Sequence, residues 1–341
     1  MKTDDPAYLA PRVGNMAQVA SIRRLVSDDG KGRGMRVLEV NNGSGLSFSL
    51  YPDRGMDIGQ AYYKGTPLAW VSRNQEVAPQ FYEAEGIEWL RSWGGGLLTG
   101  CGLVNVGGPN TAGGERHGLH GRLSHIPAEE VNTSSAWTAD GKFTLSASGR
   151  VRHSRVFGEN LLLTRTITTS LGEASITVRD TVENQGFAPS PLMLLYHLNL
   201  GWPLVDSGAA LRAPAHEVTP QNEHSAAGLA DWRKITAPVP GFREQVYYHT
   251  LPADSQGLAA IRLVNRRLGL AFNVTYRVAE LPYLIQWKMM GQGEYVVGLE
   301  PANCYPEGQE QNANKGLLRQ LAAGEKTETF LKLTVETLVG E

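Results

Sequence analysis

The stretch "ENLLLTRTITTSLGEASITVRDTVENQG", Glu159–Gly186, decides the fold class. It is rich in β-branched and aliphatic residues, it breaks at Leu171-Gly172, and it ends in the small polar residues of Asn184–Gly186. Because β-branched residues favour extended backbone and Gly and Asn favour turns, the pattern predicts two strands followed by a turn.

The same period-2 alternation recurs elsewhere in the chain. In "GLAFNVTYRV", 269–278, one strand face carries Leu270, Phe272, Val274 and Tyr276, and the preceding "RRLG" is typical of a hairpin turn. "TFLKLTVETL", 329–338, places Leu331, Leu333 and Val335 on one face. "LSFSLYPDRG", 46–55, predicts a further strand with a sharp exit.

Helix signals are few. A short helix is predicted over Met16–Val26, and a helical turn within "PQFYEAEGIEWLRS", 79–92. Long amphipathic helices do not alternate with the strands, which disfavours a parallel α/β sheet, and the lack of a repeat disfavours a propeller. The 39 glycines and 18 prolines are dispersed, as in many short strands joined by turns. We therefore predict an all-β, antiparallel sandwich of many strands with a few short helices.

Composition narrows the class of partner and the compartment. The net charge of −2 disfavours nucleic acid, whose binding depends on phosphate neutralisation. Cys101 and Cys304 are the two cysteines of the 341 residues, so free thiols in a reducing compartment are expected. The N-terminus lacks the apolar core of a signal peptide, and no apolar run is long enough to span a bilayer. The expectation is a cytoplasmic protein without a membrane partner.

A first candidate site lies in "RHGLHGRLSH", 116–125, which holds His117, His120 and His125. Their irregular spacing and the intervening glycines differ from the helical pattern of a hydrolytic zinc site. Incidental surface histidines are one interpretation, and a loop at a cleft with His120 reaching a ligand is another. We expect no metal at these histidines.

Two ionisable residues occur in apolar strands. His197 stands in "LLYHLNLGWP", Leu194–Pro203, and Glu300 ends the strand in "YVVGLEPANCYPEG", 295–308. A buried neutral histidine satisfied by its neighbours and an exposed strand-end glutamate are the plain alternatives. A histidine titrates near neutrality, so it is also a ready general acid.

Two further segments offer polar groups for a groove. In "PYLIQWKMM", 282–290, Gln286 and Lys288 share a face with Leu284, and this face is predicted to line a groove or simply to meet solvent. "DWRKI" sets Asp231 beside Trp232, a carboxylate and an aromatic ring of the kind that contact sugars.

In order, the segments "LHG" at 119–121, "YHLN" at 196–199, "DWR" at 231–233 and "LEP" at 299–301 resemble the motifs of the aldose 1-epimerases, or galactose mutarotases. "PDRGMDIGQAYYKG", 52–65, and "WGGGLLTGCGL", 93–103, resemble the bacterial aldose 1-epimerase-like branch grouped as DUF4432. The resemblance covers about Val37 to the end. It implies a β-supersandwich over residues 35–341, with residues 1–34 as an N-terminal appendage.

The resemblance also implies roles. His197 and Glu300 are expected to be catalytic, as acid and base across a groove, with His120 assisting and Asp231 on a wall. Independently of the resemblance, the substrate contacts expected from the residues themselves are Arg91, Gln286, Lys288, Arg54, His117 and Trp232. No cofactor or metal is implied, because acid–base opening of a hemiacetal needs neither.

The sequence departs from the family where "LHGG" reads "LHGR", the proline after "YH" is missing, and "LEPQ" reads "LEPA". The acid–base residues match the family and the surrounding residues differ. The resemblance therefore implies the activity, interconversion of sugar anomers, but not which sugar or sugar acid is the substrate. A non-catalytic sugar-binding protein and an epimerase or lyase acting at another carbon are the alternatives. A homodimer is compatible with the sequence.

Overall fold

The computed structural model of the chain describes residues 5–338 and is built from two large antiparallel sheets. The strands, numbered in chain order, are β1 Ser21–Val26, β2 Arg36–Asn41, β3 Leu46–Tyr51, β4 Asp57–Tyr63, β5 Thr66–Pro67, β6 Leu98–Leu103, β7 Asn110–Ala112, β8 Glu115–His117, β9 Glu129–Trp137, β10 Phe143–Ser154, β11 Asn160–Ser170, β12 Ser175–Asn184, β13 Ser190–Leu200, β14 Ala210–Arg212, β15 Glu217–Pro220, β16 Gln245–Thr250, β17 Leu258–Asn265, β18 Leu270–Arg277, β19 Tyr283–Met290, β20 Tyr295–Ala302, β21 Arg319–Leu321 and β22 Lys326–Thr337.

The larger sheet has 12 strands and the smaller sheet has eight. The main path of the larger sheet runs β1-β2-β3-β4-β6-β13-β20-β19-β16-β15, with β5 paired to β4 and β21 paired to β13. The smaller sheet runs β14-β17-β18-β22-β12-β11-β10-β9, and β7 and β8 form a separate ribbon. The strands predicted on either side of Leu171-Gly172 are β11 and β12, which confirms the all-β antiparallel class.

The main hydrophobic core lies between the two sheets. The predicted inward faces of β18 and β22 are both in it, including Phe272, Val274 and Leu333. In the larger sheet, β13 contributes Tyr196 and Leu198 to the same core. The intervening residues of β13 therefore face outward, away from the smaller sheet.

Helices are short. They are α1 Pro6–Leu9, α2 Glu223–Ala226 and α3 Gln309–Asn314, with 3₁₀ turns at Met16–Gln18, Gly30–Gly32, Pro79–Phe81, Glu88–Arg91, Leu123–His125 and Leu229–Asp231. Within residues 5–338, no helix has the length and apolar character needed to cross a membrane. The helix predicted over Met16–Val26 is wrong beyond Gln18, because Ser21–Val26 pairs with β2 along its whole length.

This edge strand lies inside the predicted N-terminal appendage. Ser21 pairs with Asn41 and Val26 with Arg36, so the sheet begins before residue 34. Leu9 and Ala20 are also buried in the main core. The part of the appendage that the structure describes is therefore continuous with the sheet, and residues 1–4 lie outside the described residues.

Candidate active site

His197 and Glu300 meet at the centre of the larger sheet. Strands β13 and β20 are neighbours, and their antiparallel register, with Leu198 opposite Leu299, places His197 directly opposite Glu300. His197 Nε2 lies 3.2 Å from Glu300 Oε1. Two residues about a hundred positions apart are thus brought into contact by strand pairing alone.

Both side chains are on the outer face of the sheet but are covered there. His197 is 5 % exposed and Glu300 is 2 % exposed. The cover is a second apolar cluster that includes Trp89, Trp93 and Trp287. The pair therefore lies in a dry, low-dielectric environment although it is not in the core between the sheets.

Tryptophan rings form the walls around the His197 imidazole. The ring centroids of Trp93 and Trp287 lie 5.1 Å and 5.5 Å from it, both edge-on. Trp70 packs on both of these tryptophans, with centroid distances of 5.1 Å to Trp93 and 6.3 Å to Trp287. Since Trp70 and Trp287 are only partly buried, the site borders solvent on their side.

His120 completes the group from a loop. Its ring lies edge-on to His197, with 5.7 Å between the centroids. Its backbone has a φ of 57° and is fixed by two hydrogen bonds, from His120 N–H to the Gly107 carbonyl and from Gly102 N–H to the His120 carbonyl. The structure thus brings together the three residues for which a catalytic role is expected, but His197 and Glu300 are in direct contact and not on opposite sides of a groove.

Burial sets the protonation states of the three groups. It raises the pKa of Glu300 well above its usual value, and the nearby Glu244 carboxylate raises that pKa further. Burial lowers the pKa of His197 to about 3, assisted by His120 and opposed by the Asn199 amide. Burial alone lowers the pKa of His120 to about 4. Burial therefore favours the protonated form of Glu300 and the neutral forms of the two imidazoles.

The pair has unused hydrogen-bonding capacity. His197 Nδ1 is buried without a partner, and Glu300 Oε1 approaches His197 Nε2 without the geometry of a hydrogen bond. Buried polar atoms are almost always paired, so such exceptions call for an explanation. Here the explanation is that these atoms are available to form hydrogen bonds with a ligand.

Gly298 creates the space for this arrangement. A Cβ at this position would stand 2.5 Å from Glu300 Oε1 and 3.4 Å from His197 Cε1. Both distances are to side chains of the candidate site, so the glycine keeps the two residues free to meet.

We expect Gly298→Ala to displace the Glu300 carboxyl and to reduce turnover at least about tenfold, because a misplacement of about 1 Å costs up to two powers of ten in rate. The measurement is kcat, with the melting temperature recorded beside it. Gly108→Ala is the matched control, since a Cβ there meets nothing within 4 Å. Unchanged turnover in Gly298→Ala would show that the position of the carboxyl is not critical.

Gln286 and Lys288 do not line this site, which corrects the prediction for β19. Ile285 and Trp287 are the residues that share the outer face with Glu300. Gln286 is instead fully buried on the opposite face, where its amide contacts His249 and the Trp232 carbonyl. The alternation of side chains along β19 is as predicted, but the more polar face points toward the inside of the sandwich and not toward the candidate site.

Asp231 and Trp232 are also away from the pair. The Asp231 carboxylate is exposed and pairs with Lys234 at 2.6 Å, while its backbone carbonyl accepts a hydrogen bond from Lys288 Nζ. Trp232 packs on His249, with 4.8 Å between ring centroids. The contacts of Asp231 and Trp232 are thus with Lys234, Lys288 and His249, and their expected roles toward a substrate stay predictions.

Arg54 is buried, with an exposed fraction of 5 %, and contacts the segment that carries Trp93. Its Nη1 donates to the carbonyls of Val77 and Ser92, and its Nη2 donates to Ser124 Oγ. Ser92 directly precedes Trp93, so Arg54 positions the segment that carries this tryptophan. Its expected contact with a substrate stays a prediction.

The remaining predicted contacts are peripheral. Arg91 is exposed and paired with Glu88. His117 is partly buried in β8, beside a separate cavity of about 250 Å³ that is lined in part by Arg155 and Glu159. His125 stacks on Tyr82 at 4.1 Å. Within residues 5–338, no three histidine, cysteine or acidic residues are grouped so as to hold a metal ion.

Both cysteines are free thiols, as expected from their number, and both are buried in the apolar cluster that covers the pair. Sequence reasoning missed the tryptophan wall and Gly298. The segment "RSWGGG", 91–96, carried a signal in the form of a tryptophan next to a glycine run. Nothing in the sequence alone showed that Trp70, Trp93 and Trp287 would converge.

Solved structures similar to this chain include a candidate aldose 1-epimerase from Klebsiella pneumoniae, with a TM-score of 0.87 and 26% identity over 94% of this chain and 86% of that one. A galactose mutarotase-like protein from Clostridium acetobutylicum has a TM-score of 0.67 and 12% identity, over 94% of this chain and all of that one. Galactose 1-epimerase from Lactobacillus acidophilus has a TM-score of 0.60 and 12% identity over the same shares. The last two likenesses show the galactose mutarotase-like fold.

Comparison with curated proteins found no match. The model of a domain of unknown function, DUF4432, matches residues 32–335, which include all the strands of the two sheets except β1 and the last two residues of β22. The chain belongs to the DUF4432 family.

Proposed function

We propose that the protein is an isomerase of the aldose 1-epimerase type, which opens and recloses the hemiacetal ring of a sugar. The observation that carries the proposal is the 3.2 Å contact between His197 Nε2 and Glu300 Oε1 in a buried setting. The ring oxygen and the anomeric hydroxyl are bonded to the same carbon. An acid and a base this close together serve both oxygens at once.

The proton inventory of the pair fits this chemistry. At rest, one proton resides on Glu300 and the imidazole is neutral. Transfer of that proton to His197 gives a carboxylate and an imidazolium. Glu300 then accepts the proton of the anomeric hydroxyl while His197 donates to the ring oxygen, and the bond from the anomeric carbon to the ring oxygen breaks. The products are the open-chain aldehyde and the resting pair.

Reclosure reverses these transfers after the aldehyde has rotated. His197 removes the proton of the attacking hydroxyl, and Glu300 donates to the carbonyl oxygen. The resting pair begins this step without a prior transfer, because the acid and the base already carry the required protons. The dry setting of the pair keeps both transfers between the protein and the sugar.

The surrounding residues support a sugar ligand. Aromatic rings bind the C–H faces of sugars, and Trp70 and Trp287 are partly exposed at the border of the site. His120 is placed to hold an oxygen of the reacting group, since its Nδ1 already accepts from Gly107 N–H at 3.4 Å and its Nε2 carries the remaining proton. The likeness to the Klebsiella protein, at 26% identity, supports the same class of reaction.

The test is optical rotation after dissolving a single pure anomer, across aldohexoses, aldopentoses, uronic acids and sugar phosphates. We expect at least one sugar to reach equilibrium faster in proportion to protein concentration. Binding of a sugar without faster mutarotation would favour a binding protein. Exchange of a carbon-bound hydrogen with solvent would favour chemistry at another carbon.

The pH dependence follows from the protonation of the pair. The doubly protonated, inactive form appears only as the pH falls toward about 3, where His197 binds a proton. The fully deprotonated form requires a pH above the raised pKa of Glu300. We expect no fall in kcat/KM on the acid side at the usual histidine value of about 6.5, because His197 is still neutral there. A fall in kcat/KM as the pH drops through about 6.5, lost in His197→Asn, would show that His197 titrates as an exposed imidazole.

A further inference from the structure

Asn199 lies two residues after His197 on β13, so the two side chains share the outer face of the sheet. It pairs across the sheet with Gly298, the residue whose missing side chain leaves room at the site. Asn199 is fully buried, with an exposed fraction of 0%. Neither the family resemblance nor the acid–base chemistry assigns it a role.

The orientation of the Asn199 amide is fixed by its donors. Nδ2 donates to the carbonyls of Gly96 and His197, each at 3.0 Å. Because carbonyl oxygens only accept, the nitrogen must face them and the oxygen must face away. Both N–H bonds are therefore used within the protein.

The amide oxygen is left without a partner. Asn199 Oδ1 is buried and has no hydrogen bond. An unsatisfied buried acceptor is destabilising, so a position that keeps one needs a reason. The nearby His197 Nδ1 is also unpartnered, and the Asn199 amide lies close enough to oppose the fall of the His197 pKa.

Asn265 shows how a purely structural asparagine is satisfied in this protein. Its Nδ2 likewise donates to two carbonyls, those of Pro203 and Leu204, and it is 3% exposed. Its Oδ1, however, accepts a hydrogen bond from Leu268 N–H at 3.0 Å. The two asparagines differ in the free oxygen, which at Asn199 lies beside the His197 imidazole.

We propose that Asn199 is a specificity-determining residue whose Oδ1 accepts a hydrogen bond from a hydroxyl group of the sugar. The identity of the ligand as a sugar rests on the proposed function. An oxygen that can only accept selects a donor, and a hydroxyl supplies one, whereas an ether oxygen, a carbonyl or a carboxylate does not. The same hydroxyl can accept from His197 Nδ1–H, which carries a proton when Nε2 faces the protonated Glu300.

The experiment is a binding scan by tryptophan fluorescence. The probes are aldohexoses and aldopentoses, followed by the monodeoxy derivatives of the sugar that binds most tightly. We expect one deoxy derivative to bind the wild type about 10- to 100-fold more weakly than the parent sugar does. The derivative lacks the hydroxyl that would donate to Asn199 Oδ1, so this oxygen stays unpaired in the complex. In Asn199→Ala the same deletion should change binding less than about threefold, since the partner is already gone.

A control variant keeps the result interpretable. Asn265→Ala removes a comparable structural asparagine and should keep the full discrimination between the parent sugar and its deoxy derivative. Equal sensitivity of the wild type and Asn199→Ala to every hydroxyl deletion would overturn the inference. A sugar that binds through Asn199 but is not interconverted would refute the proposed function alone.

Discussion

Replacing Glu300 by glutamine is expected to lower kcat for anomer interconversion by about two to four powers of ten, with KM changed only a few-fold. The amide has nearly the same shape as the acid, but it can neither give up nor accept a proton at the anomeric oxygen. The amide introduced by this substitution would still contact His197, as the carboxyl does at 3.2 Å, but it has no acidic proton to transfer. The loss should therefore appear in the chemical step and not in binding.

His197→Asn should reduce kcat by a similar factor, and the double variant should lose little more, because residues that act as one unit are not additive. Glu336→Gln, at an exposed pair on the smaller sheet, is the control and should be unaffected. Initial rates measured over a range of sugar concentrations separate kcat from KM. Wild-type turnover in either single variant would remove that residue from the acid–base mechanism.

Asp180→Asn is expected to lower the free energy of unfolding by about 3–5 kcal/mol, the usual cost of breaking a buried ion pair. Arg165 and Asp180 are fully buried between the sheets, and Arg165 Nη2 donates to Asp180 Oδ2 at 2.7 Å. Burial opposes the charge on Arg165, but the Asp180 carboxylate raises the guanidinium pKa above its usual value. The variant would leave that charge without its close partner.

This pair also supports the strand that carries the site. Tyr196 precedes His197, and its hydroxyl donates to Asp180 Oδ2 at 2.6 Å. Urea unfolding followed by fluorescence would measure the loss. Glu173→Gln, at an exposed pair with Lys142, should cost less than about 1 kcal/mol. A loss that small in Asp180→Asn would mean that the Asp57 carboxylate, 3.8 Å from Arg165, is a sufficient partner.

The fold could be predicted because strand periodicity is a local property. Leu331, Leu333 and Val335 alternate in the sequence and are all in the core, as are the inward residues of β18. The segment 16–26, predicted as a helix, contains a strand instead. Its residues Ser21–Val26 are partly or largely exposed at the edge of the sheet, so burial imposes no alternation there.

The site could be predicted only in part, since it depends on which face of each strand points outward. His197 and Glu300 were identified through the family resemblance, and strand register explains why they meet. For β19 the sequence predicts correctly which residues share a face, but it predicts the polar face to line the groove. The outer face instead carries Trp287, which packs with the other tryptophans, whereas Gln286 lies on the inner face and is hydrogen bonded there.

The most direct test of the central claim is two-dimensional exchange NMR on a sugar that the protein binds, with wild type and Glu300→Gln compared at equal concentration. We expect cross-peaks between the two anomers that grow with wild-type concentration, and exchange at the buffer rate with Glu300→Gln although the sugar is still bound. Exchange at the buffer rate with the wild type, or equal acceleration by both proteins, would contradict the assignment of His197 and Glu300 as the acid–base pair of an anomer isomerase.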